Sequence, residues 1–350
     1  MPRPRVQNDF MTPEMTEKTF IIAEAGVNHN GDMALARRLI EVAAEAGADA
    51  VKFQTFRTDQ VLSSSAILAD YQKAGARAET ALDMIRPLEL SFDHFSELAR
   101  FCEPLGIQFL STAFDVDSAR FLKSLGMSRF KIPSGEITNE PLVRRLARLA
   151  DQVILSTGMS TLAEVEAAVG WIEEECVQDI VILHCVSNYP APPETANLRA
   201  MDTLAAAFGW PVGWSDHTLG DAIALAAVAR GARVIEKHFT LDKSMPGPDH
   251  AMSLDPAELR HMVSRIREVE VSLGDGRKRP APAEEETRLV ARRSLFARVD
   301  IAAGQTLREP DLQLLRPGDG LPPGRIKELV GRRATRDLPA GAKLDLGDFH

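Results

Sequence analysis

Short apolar runs recur at 20–24, 49–53, 107–111, 128–132, 152–156, 179–184, 211–214 and 233–237, and longer stretches with helical spacing separate them. This alternation constrains the fold more than any other feature of the chain. Leu35, Leu39, Val42, Ala43 and Ala46 fall at i, i+4, i+7, i+8 and i+11. After the last run Leu259, Met262, Val263, Ile266, Val269 and Leu273 show the same kind of spacing. An apolar face repeating every 3.6 residues marks a helix packed on a core. Eight strand–helix units within about 255 residues match the count and size of a (β/α)8 barrel. A doubly wound open sheet is the rival, but no Gly-rich dinucleotide fingerprint follows the first run. The expected fold class is therefore α/β, with a (β/α)8 TIM barrel over 19–273.

Active sites of such barrels sit where the strands end. Here all eight runs end on polar residues: Glu24; Lys52 and Gln54; Ser111 and Thr112; Lys131, Ser134 and Glu136; Ser156 and Thr157; His184, Ser187 and Tyr189; Ser215, Asp216 and His217; and Glu236, Lys237 and His238. An isolated Ser or Thr at such a place is ordinarily a turn or cap residue. Polar groups at every end point instead to a polar mouth.

Histidines 217 and 238 end neighbouring strands and can hold a divalent metal between them; two structural imidazoles are the plainer reading. With only two protein ligands the ion would be exchangeable, Mn²⁺ or Mg²⁺ rather than a locked-in Zn²⁺. Lys52 and Lys131, with the hydroxyls of Thr112, Ser134, Ser156 and Ser215, suit a phosphate or phosphate-plus-carboxylate ligand. Rim lysines or a single Schiff-base lysine are the alternatives. Glu24 and Glu136 can position hydroxyls or move a proton, whereas Asp216 can simply cap a turn. The phrase NHNG (28–31) reads as a turn into the first helix. SMPGPDH (244–250) reads as a loop over the mouth, in which Asp249 and His250 either contact substrate or shape the loop.

The net charge of −9 argues against nucleic acid and anionic membrane surfaces as partners. No run approaches the ~18 apolar residues of a membrane span. Cys102, Cys176 and Cys185 lie far apart without metal-ligand spacing, as expected of a reduced, cytoplasmic protein. Residues 1–18 are polar and lack an apolar h-region, so a disordered extension is expected rather than a secretory signal. Residues 274–290, Pro-rich and highly charged, read as a linker. Within 291–350 the phrase DIAAGQTL (300–307) recurs as DLPAGAKL (337–344). Two like strand–turn–strand units predict a compact, mostly β module whose small core favours docking on something larger.

The phrases IIAEAGVNHNGD, VKFQTF, STAFD, KIPSGE, ILSTGM, SNYPAP, WSDHTLG, VIEKHFTLD, GPDH and RPGDG resemble the sialic acid synthase family. These enzymes make nine-carbon nonulosonic acids from phosphoenolpyruvate and an N-acylated six-carbon sugar. The resemblance implies a TIM barrel joined to a C-terminal antifreeze-like (SAF) domain, which reaches over the partner's active site in a domain-swapped homodimer. It assigns His217 and His238 as ligands of Mn²⁺ or Mg²⁺. It assigns Lys52, Thr112, Lys131, Ser134, Ser156, Ser215 and Ser187 to phosphoenolpyruvate, the last at a position that can be Asn in relatives. Glu24, Gln54, Tyr189 and Asp249 would address the sugar chain, and Arg316 its acyl group from the other subunit.

The implied reaction begins with attack of the enol carbon on the open-chain sugar's aldehyde. Water then adds at the oxocarbenium-like centre, and phosphate leaves by C–O cleavage. Glu136 is the catalytic group expected to handle the water's proton; a Glu136→Gln variant with near wild-type turnover across pH would remove that role. The expected sugar is N-acetylmannosamine, giving N-acetylneuraminate. The alternative, suggested by SNYPAP followed by NLRAM, is 2,4-diacetamido-2,4,6-trideoxymannose, giving N,N'-diacetyllegionaminate. A non-catalytic sugar receptor would need neither the metal pair nor Glu136, and an ice-binding tail would not carry Arg316, Asp319, Arg332 and Arg333.

Overall fold

The computed structural model describes residues 18–63, 66 and 80–350. The expected N-terminal extension, apart from Lys18, lies outside the described residues. The chain divides between Asp275 and Gly276 into two compact units. No helix among the described residues is long and apolar enough to cross a membrane.

The first unit is built on eight parallel strands: β1 (Phe20–Gly26), β2 (Ala50–Thr55), β3 (Gln108–Ala113), β4 (Arg129–Ile132), β5 (Gln152–Ser156), β6 (Asp179–Cys185), β7 (Val212–Asp216) and β8 (Val234–His238). Their order is β3-β2-β1-β8-β7-β6-β5-β4, and β3 packs beside β4 to close the barrel. Register runs Ala23↔Val51 on one side of β1 and Ala23↔Lys237 on the other. Helices alternate with the strands: α1 (Met33–Glu45), α2 (Phe92–Cys102), α3 (Val116–Ser124), α4 (Glu140–Leu149), α5 (Leu162–Glu174), α6 (Ala200–Phe208), α7 (Ala222–Ala229) and α8 (Pro256–Leu273).

Strands of a parallel barrel are covered on both faces, so their interiors are apolar throughout. Ile21, Ile22, Phe53, Phe130, Ile154 and Ile235 are fully buried accordingly. Helix starts are set by local chemistry. Asp32 caps α1 through the Ala34 and Leu35 amides, and Thr161 with Glu164 forms a capping box on α5. Each such cap contributes about 1 kcal/mol. At the base of the barrel, Asp49 accepts from the Ile21 amide and pairs with Arg267 of α8 at 2.7 Å, tying first strand to last helix.

The second unit holds an antiparallel pair, β9 (Ser294–Ala297) and β10 (Leu312–Leu315), over a core that includes Leu295, Ile301, Leu307, Leu338, Leu344 and Phe349. The repeated phrase pairs with itself. Ile301 and Leu338 exchange both backbone hydrogen bonds at 2.9 Å. The Ala303 amide donates to Asp337 at 2.7 Å and the Ala340 amide to Asp300 at 2.8 Å, a local two-fold exchange. The segment 274–290 is not without regular structure. It contains the start of a short helix at Glu285–Ala291, which is exposed throughout and so leaves no apolar period in the sequence.

Candidate active site at the barrel mouth

Successive side chains of a strand point to opposite faces, and this decides which polar residues of each run enter the mouth. On β8, Glu236 and His238 face a cleft of about 380 Å³, while Lys237 points away from it. Lys237 Nζ pairs there with Asp216 Oδ2 at 2.8 Å and donates to the Thr218 carbonyl. Asp216 also caps its own turn, accepting from the Thr218 amide at 2.9 Å and the Thr218 hydroxyl at 2.7 Å. The same alternation turns His184 outward, where its Nε2 meets the Ala196 carbonyl at 2.9 Å and its ring tilts on Trp214. His184 is structural.

Two ammonium groups and two carboxylates form the buried floor. Lys52 Nζ lies 2.7 Å from Glu24, 3.8 Å from Glu236 and 2.9 Å from the Thr112 hydroxyl. Lys131 Nζ lies 3.2 Å from Glu236, and the Ser215 hydroxyl donates to the same carboxylate at 3.2 Å. Burial raises both carboxyls, but with opposite outcomes. Glu236 faces both lysines, whose fields outweigh burial and hold it below the ordinary carboxylate range. For Glu24 burial wins over Lys52, with the Glu236 charge adding to the upward push. Glu236, held ionised, balances one of the two ammonium charges. Glu236 was not singled out for chemistry from the sequence, although its parity with His238 on one strand would have revealed it.

Small polar groups complete the opening. Ser156 Oγ is buried with no hydrogen-bond partner among the described residues, as expected of a hydroxyl kept for a ligand. Ser134 Oγ accepts from the Gly158 amide at 2.9 Å. A Cβ on Gly158 would lie 2.2 Å from Ser187 Oγ and 2.8 Å from Ser134 Oγ, so the hydroxyl cluster requires glycine here. Cys185 also lines the cleft, 3.7 Å from His217 Nδ1.

The two imidazoles sit side by side, with ring centroids 5.5 Å apart, and Tyr189 packs 4.1 Å from the His217 ring. His217 Nδ1 lies 2.9 Å from the Val186 carbonyl, which can only accept. That nitrogen therefore carries a hydrogen, which leaves Nε2 as the ligating atom whenever the ring is neutral. A backbone carbonyl fixing the tautomer in this way is the usual support of a metal-binding histidine. His238 Nδ1 is buried without a hydrogen-bond partner among the described residues, 3.9 Å from Asp249 Oδ2. Two adjacent imidazoles beside carboxylates fit a divalent ion that takes its remaining ligands from water and substrate oxygens. Among the described residues no set of three or more His, Cys, Asp or Glu forms a closed metal site.

The structure thus brings Glu24, Lys52, Gln54, Thr112, Lys131 and Ser134 to one cleft with Ser156, Ser187, Tyr189, Ser215, His217 and His238. Gln54 Nε2 donates to Glu24 at 3.4 Å. Asp249 joins through His238, and burial pushes its carboxyl up to about 6. Glu136 does not line the cleft. It sits on the turn whose Ser134 and Gly135 do, and its carboxylate accepts from Asn139 at 2.7 Å. Arg316 lies exposed in the second unit.

Behind the mouth, His29 of the NHNG turn is fully buried, and its Nδ1 accepts from the Gly31 amide at 3.0 Å. Burial, then the neighbouring His250, push this imidazole down to about 4. Unfolded histidine takes a proton near pH 6.5. Between those values the unfolded state binds more protons than the native one, so stability falls as pH drops through the window. The full loss is about 3 kcal/mol at 1.36 kcal/mol per pKa unit. Urea unfolding from pH 7.5 to 4 should show this slope, reduced by about that amount in His29→Asn, which retains an acceptor for the Gly31 amide. Equal slopes would rule it out.

Comparison with known proteins places these observations in a family. The model of the NeuB family matches residues 39–278, and that of the SAF domain matches 292–349. The chain is 48% identical to N,N'-diacetyllegionaminic acid synthase of Legionella pneumophila over 93% of both chains. It is 47% identical to the Campylobacter jejuni protein of the same name, over 92% of this chain and 97% of that one. Among solved structures, N-acetylneuraminic acid (sialic acid) synthetase of Leptospira borgpetersenii, in complex with citrate, aligns at a TM-score of 0.70 and 36% identity. That alignment covers 78% of this chain and 90% of the other.

Proposed function

The chain belongs to the NeuB family, and from that premise we propose that it condenses phosphoenolpyruvate with 2,4-diacetamido-2,4,6-trideoxymannose and water, giving N,N'-diacetyllegionaminate and phosphate. That it is a phosphoenolpyruvate-dependent condensing transferase follows from the family. The observation carrying the chemistry is the meeting of Lys52, Lys131, His217 and His238 in one cleft. The sugar is the finer step. Of the two sugars weighed from the sequence, N-acetylmannosamine gives way to the diacetamido sugar. Relatives 47–48% identical carry the legionaminic name, against 36% for the neuraminic one.

In this reading the phosphate and carboxylate of phosphoenolpyruvate enter beside Lys52 and Lys131 and take hydrogen bonds from the Thr112, Ser134, Ser156, Ser187 and Ser215 hydroxyls. Charge-assisted bonds of this kind are about twice as strong as neutral ones. Glu24, Gln54, Tyr189 and Asp249 orient the open-chain sugar so that its aldehyde faces the enol carbon. A divalent cation, Mn²⁺ or Mg²⁺, held by His217 and His238 would supply Lewis acidity and a template for the two substrates. The new C–C bond joins the enol carbon to the aldehyde carbon. Water then adds at the carbon that carries the phosphate ester oxygen, and the tetrahedral adduct expels phosphate by breaking that C–O bond. Arg316 would meet the sugar's acyl group from a second subunit.

Phosphate release tests the reading directly. It should require phosphoenolpyruvate, the diacetamido sugar and a divalent ion together. Release from phosphoenolpyruvate without sugar, with pyruvate as the other product, would mean simple ester hydrolysis instead.

A further inference from the structure

We infer that the NHNG turn is a latch that positions Asp249 for the sugar, with Asn30 as its two-sided fastener. This rests on the reading above, in which Asp249 addresses the sugar chain. Asn30 follows β1 with φ of +50°, a left-handed conformation that Asn tolerates better than most residues. Its Nδ2 donates to the Pro246 carbonyl at 3.0 Å, and its Oδ1 lies 3.1 Å from His250 Nε2. A carboxamide oxygen only accepts, so His250 Nε2 carries the hydrogen. His250 Nδ1 is then an acceptor, and the Thr240 hydroxyl at 2.6 Å donates to it.

A second tie lies two residues earlier. Asn28 Nδ2 donates to the Phe239 carbonyl at 2.8 Å and to Ser253 Oγ at 3.0 Å, and Ser253 Oγ donates to the Asp249 carbonyl at 2.6 Å. Residue 249 is thus held through its own carbonyl by Asn28 and Ser253, and through the residue after it by Asn30. Its carboxylate stands 3.9 Å from His238. The approach is close on both sides. A Cβ at Gly247 would lie 2.6 Å from the His250 ring and 3.1 Å from Asn30 Oδ1, and one at Gly31 would meet the Pro87 carbonyl at 2.3 Å.

Residues 241–247 are half-buried or exposed, so little apolar packing holds this loop shut. The polar ties from the β1–α1 turn set its position instead. Asn30 does not line the cleft and acts only through the loop.

The test is Asn30→Gly, which removes both hydrogen bonds while glycine adopts the positive φ without strain. In the substrate-free protein, amide exchange over residues 242–252 should quicken about tenfold or more. KM for the amino sugar should rise about tenfold, while KM for phosphoenolpyruvate stays within about twofold. Asn30→Asp, which keeps the acceptor for His250 and loses the donor to Pro246, should fall between. Unchanged exchange overturns the latch whatever the sugar proves to be. Faster exchange with an unchanged sugar KM, or with both KM values rising together, overturns the positioning role. A wild-type protein that releases no phosphate with the amino sugar sinks the proposed function, while the exchange comparison still reports on the latch.

Discussion

A His217→Ala, His238→Ala double variant should lose about 10³-fold or more in phosphate release, with KM for phosphoenolpyruvate changing far less. A cation held by this pair would stabilise developing charge by several kcal/mol. Lys52, Thr112 and Lys131, the anchors proposed for the anion, lie on β2, β3 and β4 and remain in place. Two ligands of one ion act as a unit, so each single replacement should cost nearly as much as the double. Mn²⁺ binding, followed by calorimetry or electron spin resonance, should vanish in step with turnover. Retained Mn²⁺ affinity would move the metal elsewhere, and retained turnover would end the case for a metal at this pair.

Lys131→Met should damage stability and activity together. The substitution nearly conserves volume but strips Glu236 of a partner at 3.2 Å, leaving Ser215 and the more distant Lys52. Breaking a buried ion pair on one side costs about 3–5 kcal/mol, because the remaining charge stays buried. The loss in kcat/KM should be about 10²-fold or more, as one charge-assisted anchor of the anion disappears. Adding Glu236→Gln separates the two effects. With both charges gone, unfolding by urea should return most of the way toward wild type, while activity stays down. If the double variant regained activity as well, Lys131 would be a structural counter-ion and not an anchor for substrate.

The barrel was legible in the sequence because its strands are buried on both faces and so appear as continuous apolar runs. Their ends were less so. β2, β3 and β7 each run two residues beyond the apolar stretch, since backbone pairing continues through Gln54, Thr112 and Ser215 whatever side chain they carry. Polar residues at the strand ends pointed to a mouth but not to which of them enter it. Alternation along the strand separates Glu236 from Lys237 and turns His184 outward, and that rule was available from the sequence. The latch was not. Asn30 and Pro246 are brought together only by barrel closure across 216 residues, which no local pattern reveals. The helix at Glu285–Ala291 also stayed hidden, because it buries no face. In the second unit the repeated phrase pointed to a compact β module, because each copy pairs with the other through equivalent atoms.

The most direct measurement is a comparison of specificity constants for phosphate release. Phosphoenolpyruvate and Mn²⁺ are held saturating, with 2,4-diacetamido-2,4,6-trideoxymannose and N-acetylmannosamine offered in turn. The two sugars differ in hydrogen-bonding groups, which a site can discriminate far more sharply than apolar ones. The account predicts kcat/KM at least about 10²-fold higher for the diacetamido sugar. A preference for N-acetylmannosamine would overturn the substrate assignment, and release with neither sugar would contradict the condensing reaction itself.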